Sequence, residues 1–220
     1  MIFANRHQAG QTLARALKHY RHPGVVVLAL PRGGVEVGAE VAKKLRAPLD
    51  LVLVRKIGHP LSPEYAIGAI AENEKPIYNR HEIQAVEEEW LEETQAAAKL
   101  LIEQRREQYY GDDFERPDLT GKTIILVDDG IATGLTMEAA AVALKRKEIK
   151  ELIIAVPVAP ADSVNNLQQI ADQVIVLSDP DKFRGAVGSH YREFDQVGDE
   201  EVRMILREVR DGLLQKTARA

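Results

Sequence analysis

Two adjacent carboxylates, Asp128 and Asp129, end an apolar run, and a loop of glycine, threonine and small residues follows them at once. The run 123–127 is typical of a buried strand, and the residues after the loop are typical of a helix. Free backbone N–H groups at a helix start, with the hydroxyls of Thr133 and Thr136, suit a phosphate. The acids suit sugar hydroxyls or a hard cation such as Mg²⁺. The pattern therefore predicts a ligand such as ribose 5-phosphate, with a phosphate on one side and a diol on the other.

Two other interpretations of this segment are simpler to state. Asp-Asp-Gly can form a plain turn after a strand, with no ligand at all. A Walker A phosphate loop requires Gly-Lys-Ser/Thr, and Leu135 stands where the lysine should be. The turn remains an alternative, whereas the Walker A loop is excluded.

The segment 127–136, VDDGIATGLT, resembles the motif that binds 5-phosphoribosyl 1-pyrophosphate (PRPP) in type I phosphoribosyltransferases. The resemblance implies that Asp128 and Asp129 hold the ribose hydroxyls and are catalytic. It implies Mg²⁺ as the cofactor, held mainly by PRPP near these acids and without direct protein ligands. It also implies that the 5-phosphate is bound by the loop residues Gly130, Ile131, Ala132, Thr133, Gly134, Leu135 and Thr136.

A second strand-to-helix junction, Pro-Arg-Gly-Gly at 31–34, is similar to the family's pyrophosphate loop. Its glycines permit close approach of the backbone to an anion. Arg32 and Gly33 carry the correspondence and are predicted to bind pyrophosphate. Because this loop often contains a strained or cis peptide in the family, we expect a cis bond between Arg32 and Gly33. The alternative is an ordinary turn that happens to hold two glycines.

Arg55 and Lys56 end the next predicted strand, where Arg-Lys-x-Gly resembles the family's strand end before a mobile catalytic loop. Lys56 is predicted to be catalytic and to contact pyrophosphate as a point charge. Arg55 is expected on the opposite face because neighbours on a strand alternate. The polar connection 57–66 is expected to be a lid that excludes water. Two ordinary surface cations are the alternative.

The acceptor of the transferred group is not specified by the sequence. Ala132 stands where hypoxanthine–guanine enzymes of the family carry an aspartate, so the chain leans away from 6-oxopurines. The nucleobase hood is expected from the chain termini. Phe183, Tyr191 and Phe194 could stack on a base, although aromatic residues more often belong to a core.

Apolar runs that alternate with helical patterns predict the elements that position these residues. The expected fold class is α/β, type I phosphoribosyltransferase-like, with a mainly parallel central sheet flanked by helices, a variable hood and a long helical insertion. Ligands of such sheets lie beyond the carboxyl ends of the strands. We expect one domain over residues 1–220, with a core at about 24–177, a charged helical insertion at about 81–110 and a tail or hood at 179–220.

The insertion is predicted as a continuous helix over residues 82–109, with one apolar stripe facing the core. A surface for a partner or a second subunit is the alternative interpretation of the same helix. The stripe comprises Val86, Trp90, Leu91, Ala97, Leu100 and Leu101.

Composition limits the protein class. The 220 residues include no cysteine, which excludes disulfides and thiolate metal sites and fits a cytoplasmic location. No apolar run approaches the roughly 20 residues that span a bilayer, and the amino terminus lacks a signal-peptide pattern. The net charge of -5 argues against a nucleic-acid partner.

The predicted activity is Mg²⁺-dependent transfer of ribose 5-phosphate from PRPP to a nitrogen nucleophile, with release of pyrophosphate. The expected partners are PRPP and a small nucleophile, a nucleobase or similar heterocycle. The resemblance also implies a homodimer, since dimers are common in the family. The alternative is a regulatory protein that binds PRPP or nucleotides without catalysis.

Overall fold

The computed structural model describes residues 1–110 and 116–217, apart from the side chains of residues 64, 85, 216 and 217. Its α-helices are α1 (Arg6–Ala16), α2 (Gly33–Leu45), α3 (Glu88–Tyr110), α4 (Leu135–Lys145), α5 (Ala161–Leu167) and α6 (Asp199–Thr217). Its strands are β1 (Val25–Ala29), β2 (Leu49–Leu51), β3 (Val54–His59), β4 (Ser62–Ala71), β5 (Ile77–Tyr78), β6 (Thr123–Val127), β7 (Glu151–Val156) and β8 (Gln173–Val176). Short 3-10 turns occupy Lys18–Tyr20, Glu82–Ala85, Pro180–Lys182 and Val187–His190.

The central sheet has the order β2-β1-β6-β7-β8, and every neighbouring pair is parallel. The packing of β1 explains why all of its residues are apolar. Val25 and Val27 pack into a core with α1, α2 and α6, whereas Val26 and Leu28 pack into a second core with α4 and α5. A strand covered on both faces needs apolar residues at every position. The predicted α/β fold with a mainly parallel sheet is confirmed.

A second sheet, β3-β4-β5, is antiparallel and lies between α3 and α4. The polar connection predicted over 57–66 is not a separate loop between strands, because most of it belongs to β3 and β4, which form a hairpin. The pairing register shifts at Gly58, where an added Cβ would lie 2.1 Å from the carbonyl oxygen of Pro63. Glycine and proline act as breakers in a regular strand, but a β-bulge accommodates both.

Helix α3 starts at Glu88, later than the predicted 82, after a 3-10 turn and a short extended step. The predicted apolar stripe is wrong in part, since Leu100 is 59% exposed and Leu101 is 40% exposed. The helix buries Ala98, Ile102 and Tyr109 instead. Its neighbours are the β3–β4 hairpin and α6, which together cover only one narrow face. The residues that follow α3, 111–121, have the polar composition of a turn, and 111–115 of them lie outside the described residues.

The tail returns to the amino-terminal residues. The N–H of Phe3 donates to the carbonyl of His190 at 2.8 Å, and the N–H of Arg192 donates to the carbonyl of Phe3 at 2.9 Å. Phe3, Tyr191 and Val158 form a small apolar cluster there. Helix α6 packs against α2. Within residues 1–110 and 116–217, no helix combines the length and the apolar character needed to cross a membrane.

Candidate functional site

The acid pair lies at the carboxyl end of β6, beside the loop that follows β1. An added Cβ at Gly33 would lie 2.0 Å from Oδ2 of Asp129, and one at Gly34 would lie 2.8 Å from Oδ1 of Asp128. Glycine at both positions is therefore required for this approach of the backbone to the acids. The predicted cis bond between Arg32 and Gly33 is wrong by one position, because the cis peptide joins Pro31 and Arg32.

The loop after the acids leads directly into α4. Gly134, immediately before the helix, has a φ of 87°, a conformation that glycine adopts without steric cost. The N–H groups of residues 132–137 donate no hydrogen bond within the described ranges, whereas the N–H of Ile131 is bound by the carbonyl of Val158 at 2.9 Å. These unused donors lie at the amino-terminal end of α4, which is the positive end of its dipole. Such an arrangement attracts an anion.

A cavity of about 130 Å³ lies at this loop. It is lined by every residue predicted to bind the 5-phosphate except Leu135, and also by Asp128 and Lys56. The remaining wall is formed by Met137 and by Val187 of the tail. Its lining residues are Lys56, Asp128, Gly130, Ile131, Ala132, Thr133, Gly134, Thr136, Met137 and Val187. Residues from three separate parts of the chain thus meet around one small, polar space.

Arg6 is a site residue that sequence reasoning missed. Its Nε donates to Oδ2 of Asp129 at 2.7 Å, and its Nη1 donates to the carbonyl of Asp195 at 2.7 Å. Nη1 also lies 3.5 Å from Oε2 of Glu36, and the guanidinium lies 3.8 Å above the ring of Phe194. Arg6 is the first residue of α1, where a cation is unfavourable because the amino-terminal end of a helix dipole is positive. This unfavourable position was the sequence signal that Arg6 has a specific partner.

The two acids are electrostatically coupled. Burial raises the pKa of Asp128 well above its usual range, and the neighbouring charge of Asp129 raises it further. Burial also raises the pKa of Asp129, although the hydrogen bond and charge of Arg6 oppose that shift. Two half-buried carboxylates with raised pKa values favour an additional cation or hydroxyl donors nearby. Their oxygens are ligands of the kind Mg²⁺ prefers.

A complete protein cage for a metal is not present in the described residues, which contain no group of three or more His, Cys, Asp or Glu side chains suited to one ion. A cation at the acid pair would therefore need further oxygen ligands from a substrate or from water.

Of the three residues predicted to bind pyrophosphate, Gly33 borders Asp129, whereas Lys56 and Arg32 lie at different edges of the site. Lys56 is exposed, lines the cavity and forms no ion pair with any carboxylate that the structure describes. Nη1 of Arg32 lies 3.9 Å from Oδ1 of Asp199, and the hydroxyl of Tyr109 donates to the same oxygen at 2.6 Å. Arg32 does not line the cavity, so only its loop borders the acid pair directly.

The aromatic residues of the tail pack against the site. The hydroxyl of Tyr191 donates to the carbonyl of Asp129 at 2.5 Å, and burial raises the pKa of this tyrosine. Its ring stacks on Phe194 at 5.0 Å, and Phe194 also carries the guanidinium of Arg6. Phe183 stacks on His190 at 5.3 Å. These contacts favour the packing role over base stacking.

Comparisons with known proteins cover most of the chain. A family model described as a phosphoribosyl transferase domain matches residues 3–192. Two curated proteins of Mycobacterium tuberculosis, from strains CDC 1551 / Oshkosh and H37Rv, are named provisionally as phosphoribosyl transferases and are 42% identical over 202 residues. Those residues are 91% of this chain and 45% of each relative, so the chain spans about half the length of the curated proteins. The crystal structure of TT1426 from Thermus thermophilus is 39% identical, with a TM-score of 0.79, and the match covers 94% of this chain and 99% of that one.

Proposed function

This chain belongs to the phosphoribosyl transferase domain family, and on that basis we propose that it transfers ribose 5-phosphate from PRPP to a nitrogen nucleophile. The acceptor is a nucleobase or similar heterocycle, and pyrophosphate is released. The observation that carries the proposal is the meeting of Asp128, Lys56 and the unused N–H groups of residues 132–137 at one cavity.

The 5-phosphate is held at the start of α4. Its oxygens accept hydrogen bonds from backbone N–H groups of the loop and from the hydroxyls of Thr133 and Thr136, and the helix dipole adds attraction. Thr133 is exposed and Thr136 is half-buried, so both hydroxyls are accessible to a ligand in the cavity. Fixing one end of PRPP in this way restricts the position of the ribose.

The acid pair positions the ribose. Asp128 and Asp129 accept hydrogen bonds from its hydroxyls and place their negative charge near the sugar, which becomes positive as the bond from the anomeric carbon to pyrophosphate breaks. The electron pair of that bond leaves with pyrophosphate. The acceptor nitrogen forms the new bond and loses its proton to solvent. Electrostatic stabilisation of this kind, with no protein nucleophile, is sufficient for such a transfer.

The leaving pyrophosphate needs positive charge. Lys56 supplies a cation at the cavity, and the backbone at Gly33 approaches the acids closely enough to contact a ligand bound to them. Arg32 reaches the pyrophosphate after leaving Asp199, to which it is held at 3.9 Å. Mg²⁺ held by PRPP would add positive charge at the phosphates, and the carboxylates of Asp128 and Asp129 would lie near it as oxygens of the kind it prefers.

The test is calorimetric titration of PRPP with Mg²⁺ into the wild-type protein and the Asp128→Asn/Asp129→Asn double variant. We expect binding to the wild type and its loss in the variant, because neutral amides cannot match the charge of the carboxylates. The matched control is Glu92→Gln/Glu93→Gln, which neutralises two adjacent exposed acids on α3. Equal PRPP affinity in the site variant and the control would overturn the assignment of the acid pair.

Catalysis is then tested with a panel of heterocycles scored for pyrophosphate release. Release with one acceptor, absent from the double variant, supports the transferase. Tight PRPP binding without release from any acceptor supports the alternative function, a regulatory protein that binds PRPP.

A further inference from the structure

Arg6 fixes one oxygen of the second acid. Its Nε donates to Oδ2 of Asp129 at 2.7 Å, and the two side chains are 8% and 14% exposed. The same oxygen faces the backbone of Gly33, where an added Cβ would lie 2.0 Å from Oδ2 and 2.8 Å from Nε of Arg6. The carboxylate is therefore packed between a guanidinium and a loop, which leaves it little freedom to turn.

Arg6 is itself held by the tail of the chain. Its Nη1 donates to the carbonyl of Asp195 at 2.7 Å, and its guanidinium lies 3.8 Å above the ring of Phe194. That ring stacks on Tyr191, whose hydroxyl donates to the carbonyl of Asp129. The second acid is thus supported at its side chain and at its backbone. Support of this kind holds a binding group in one geometry before the ligand arrives.

The two acids face different parts of the site. Asp128 lines the phosphate cavity, whereas Asp129 does not and lies instead against Gly33, in the loop predicted to bind pyrophosphate. In PRPP, the 2-hydroxyl is on the carbon next to the one that bears pyrophosphate, and the 3-hydroxyl is closer to the 5-phosphate. The order of the acids therefore matches the order of the hydroxyls, with Asp128 at the 3-hydroxyl and Asp129 at the 2-hydroxyl.

We propose that Arg6 is a positioning residue that fixes Asp129 for the 2-hydroxyl and thereby makes the site select ribose over 2-deoxyribose. With Oδ2 bound to Arg6, the carboxylate offers Oδ1 to that hydroxyl. A sugar without the hydroxyl leaves this buried oxygen without its donor, which weakens binding. The inference rests on the proposed function, because it requires a ribose 5-phosphate group at the acid pair.

The probes are ribose 5-phosphate and 2-deoxyribose 5-phosphate, which differ only at the 2-hydroxyl. Each displaces PRPP in competition calorimetry with Mg²⁺. The wild type should bind ribose 5-phosphate at least about tenfold more tightly, the effect of one hydrogen bond to a charged group. In Arg6→Ala, this preference should fall to about threefold or less, mainly through weaker binding of ribose 5-phosphate. A purely structural role would weaken both sugars equally, so an unchanged preference would overturn the proposal.

Guanidinium can replace the missing group without the covalent link. Arg6→Ala leaves space beside Asp129, so millimolar guanidinium should restore the preference for ribose 5-phosphate. Urea has a similar shape but no charge, and it should have no effect. Arg15→Ala, which removes an exposed arginine of the same helix, should keep the wild-type preference with or without either compound. Recovery with urea, or none with guanidinium, would contradict the assignment.

Arg6→Lys is the second variant, because loss of a buried ion-pair partner could prevent Arg6→Ala from folding. Lysine keeps the charge, but a single ammonium does not reproduce the planar fork that binds Asp129 and the carbonyl of Asp195 together. The preference of this variant for ribose 5-phosphate should lie below that of the wild type. A wild-type preference in folded Arg6→Lys would count against the positioning role.

PRPP titration into the wild type separates the two ways in which the inference can fail. PRPP binding with no preference between the two sugars would refute the positioning role and leave the proposed function intact. Absence of PRPP binding would refute the proposed function, and the inference would fall with it. If Arg6 instead contacted pyrophosphate directly, Arg6→Ala would lose affinity for PRPP but keep its affinity for ribose 5-phosphate. That outcome would also overturn the inference.

Discussion

Replacing Arg6 with glutamine should lower the free energy of unfolding by about 3–5 kcal/mol near neutral pH, the usual cost of removing one partner from a buried ion pair. The side chain of Arg6 is 8% exposed and that of Asp129 is 14% exposed, so water screens the pair weakly. At their separation of 2.7 Å, an effective dielectric constant of about 20 gives an attraction of about 6 kcal/mol. Loss of the arginine's own desolvation penalty offsets part of this attraction.

The loss of stability caused by Arg6→Gln should depend on pH, and it should grow as the pH rises. Arg6 lowers the pKa of Asp129 against the effect of burial, so its removal raises that pKa further. A carboxyl group whose pKa is higher in the folded state than in the unfolded state binds its proton more tightly when folded. Its contribution to stability therefore falls as the pH rises from the unfolded pKa, about 3.9, through the folded pKa. The variant should be closest to wild type in acid, where Asp129 is protonated and needs no cation.

The measurement is urea unfolding of wild type and Arg6→Gln at about pH 5 and about pH 8, with the difference in free energy compared between the two. Arg15→Gln removes an exposed arginine from the same helix and should stay within about 0.5 kcal/mol of wild type. Arg6→Lys keeps the charge but loses the planar fork, and should fall between wild type and Arg6→Gln. A penalty that is equal at both pH values, or no larger than that of Arg15→Gln, would refute the electrostatic reasoning.

Two further substitutions test how the loops and the sheet edge are held. Gly33→Ala should abolish PRPP binding in calorimetry, since its Cβ would lie 2.0 Å from an Asp129 oxygen. The control, Gly212→Ala, has nothing within 4 Å of the new Cβ and should bind PRPP normally. Normal binding by Gly33→Ala would show that the loop shifts freely. Asp50→Asn should lower the free energy of unfolding in urea by about 1–3 kcal/mol, because the buried Asp50 carboxylate accepts a hydrogen bond from Nε of Arg116 at 2.9 Å. An unchanged unfolding midpoint would show that this contact does not stabilise the fold.

The central sheet and the acid pair could be predicted because their signals are local. After Thr123, strand β6 is entirely apolar because both of its faces are covered, and the acids follow it without interruption. The phosphate loop is likewise contiguous, so its glycine, its threonines and the helix start appear together in the sequence. Local order was therefore sufficient to predict which edge of the sheet carries the candidate site.

Long-range partners could not be predicted in this way. Arg6 and Asp129 are 123 positions apart, and nothing in either neighbourhood encodes the other. The same is true of Tyr191, whose hydroxyl contacts the carbonyl of Asp129. Such contacts depend on how helices and tail pack after the sheet has formed, which residue spacing does not report.

The predictions for the β3–β4 hairpin and for α3 were wrong for a different reason. Gly58 and Pro63 act as breakers in a regular strand, but a bulged pair tolerates them, so a local rule gave the wrong element. In α3, several apolar faces compete, and the choice of Ala98 and Ile102 over Leu100 depends on the shape of the hairpin beneath them. Side-chain size alone does not identify the buried face of a helix that is covered on only one narrow face by the hairpin and α6.

The pairing of Phe3 with the tail at His190 and Arg192 has a consequence for synthesis in the cell. A ribosome releases the chain from its amino end, so residues 1–6 emerge long before the segment that fixes them. The parallel sheet can form while translation continues, but the environment of Asp129 stays incomplete until Tyr191 has left the exit tunnel. Contacts with such separation form slowly. Until then Arg6 lacks the carbonyl of Asp195, and the carbonyl of Asp129 lacks the hydroxyl of Tyr191. This incomplete stage is the one at which chaperone binding or aggregation competes most strongly with folding.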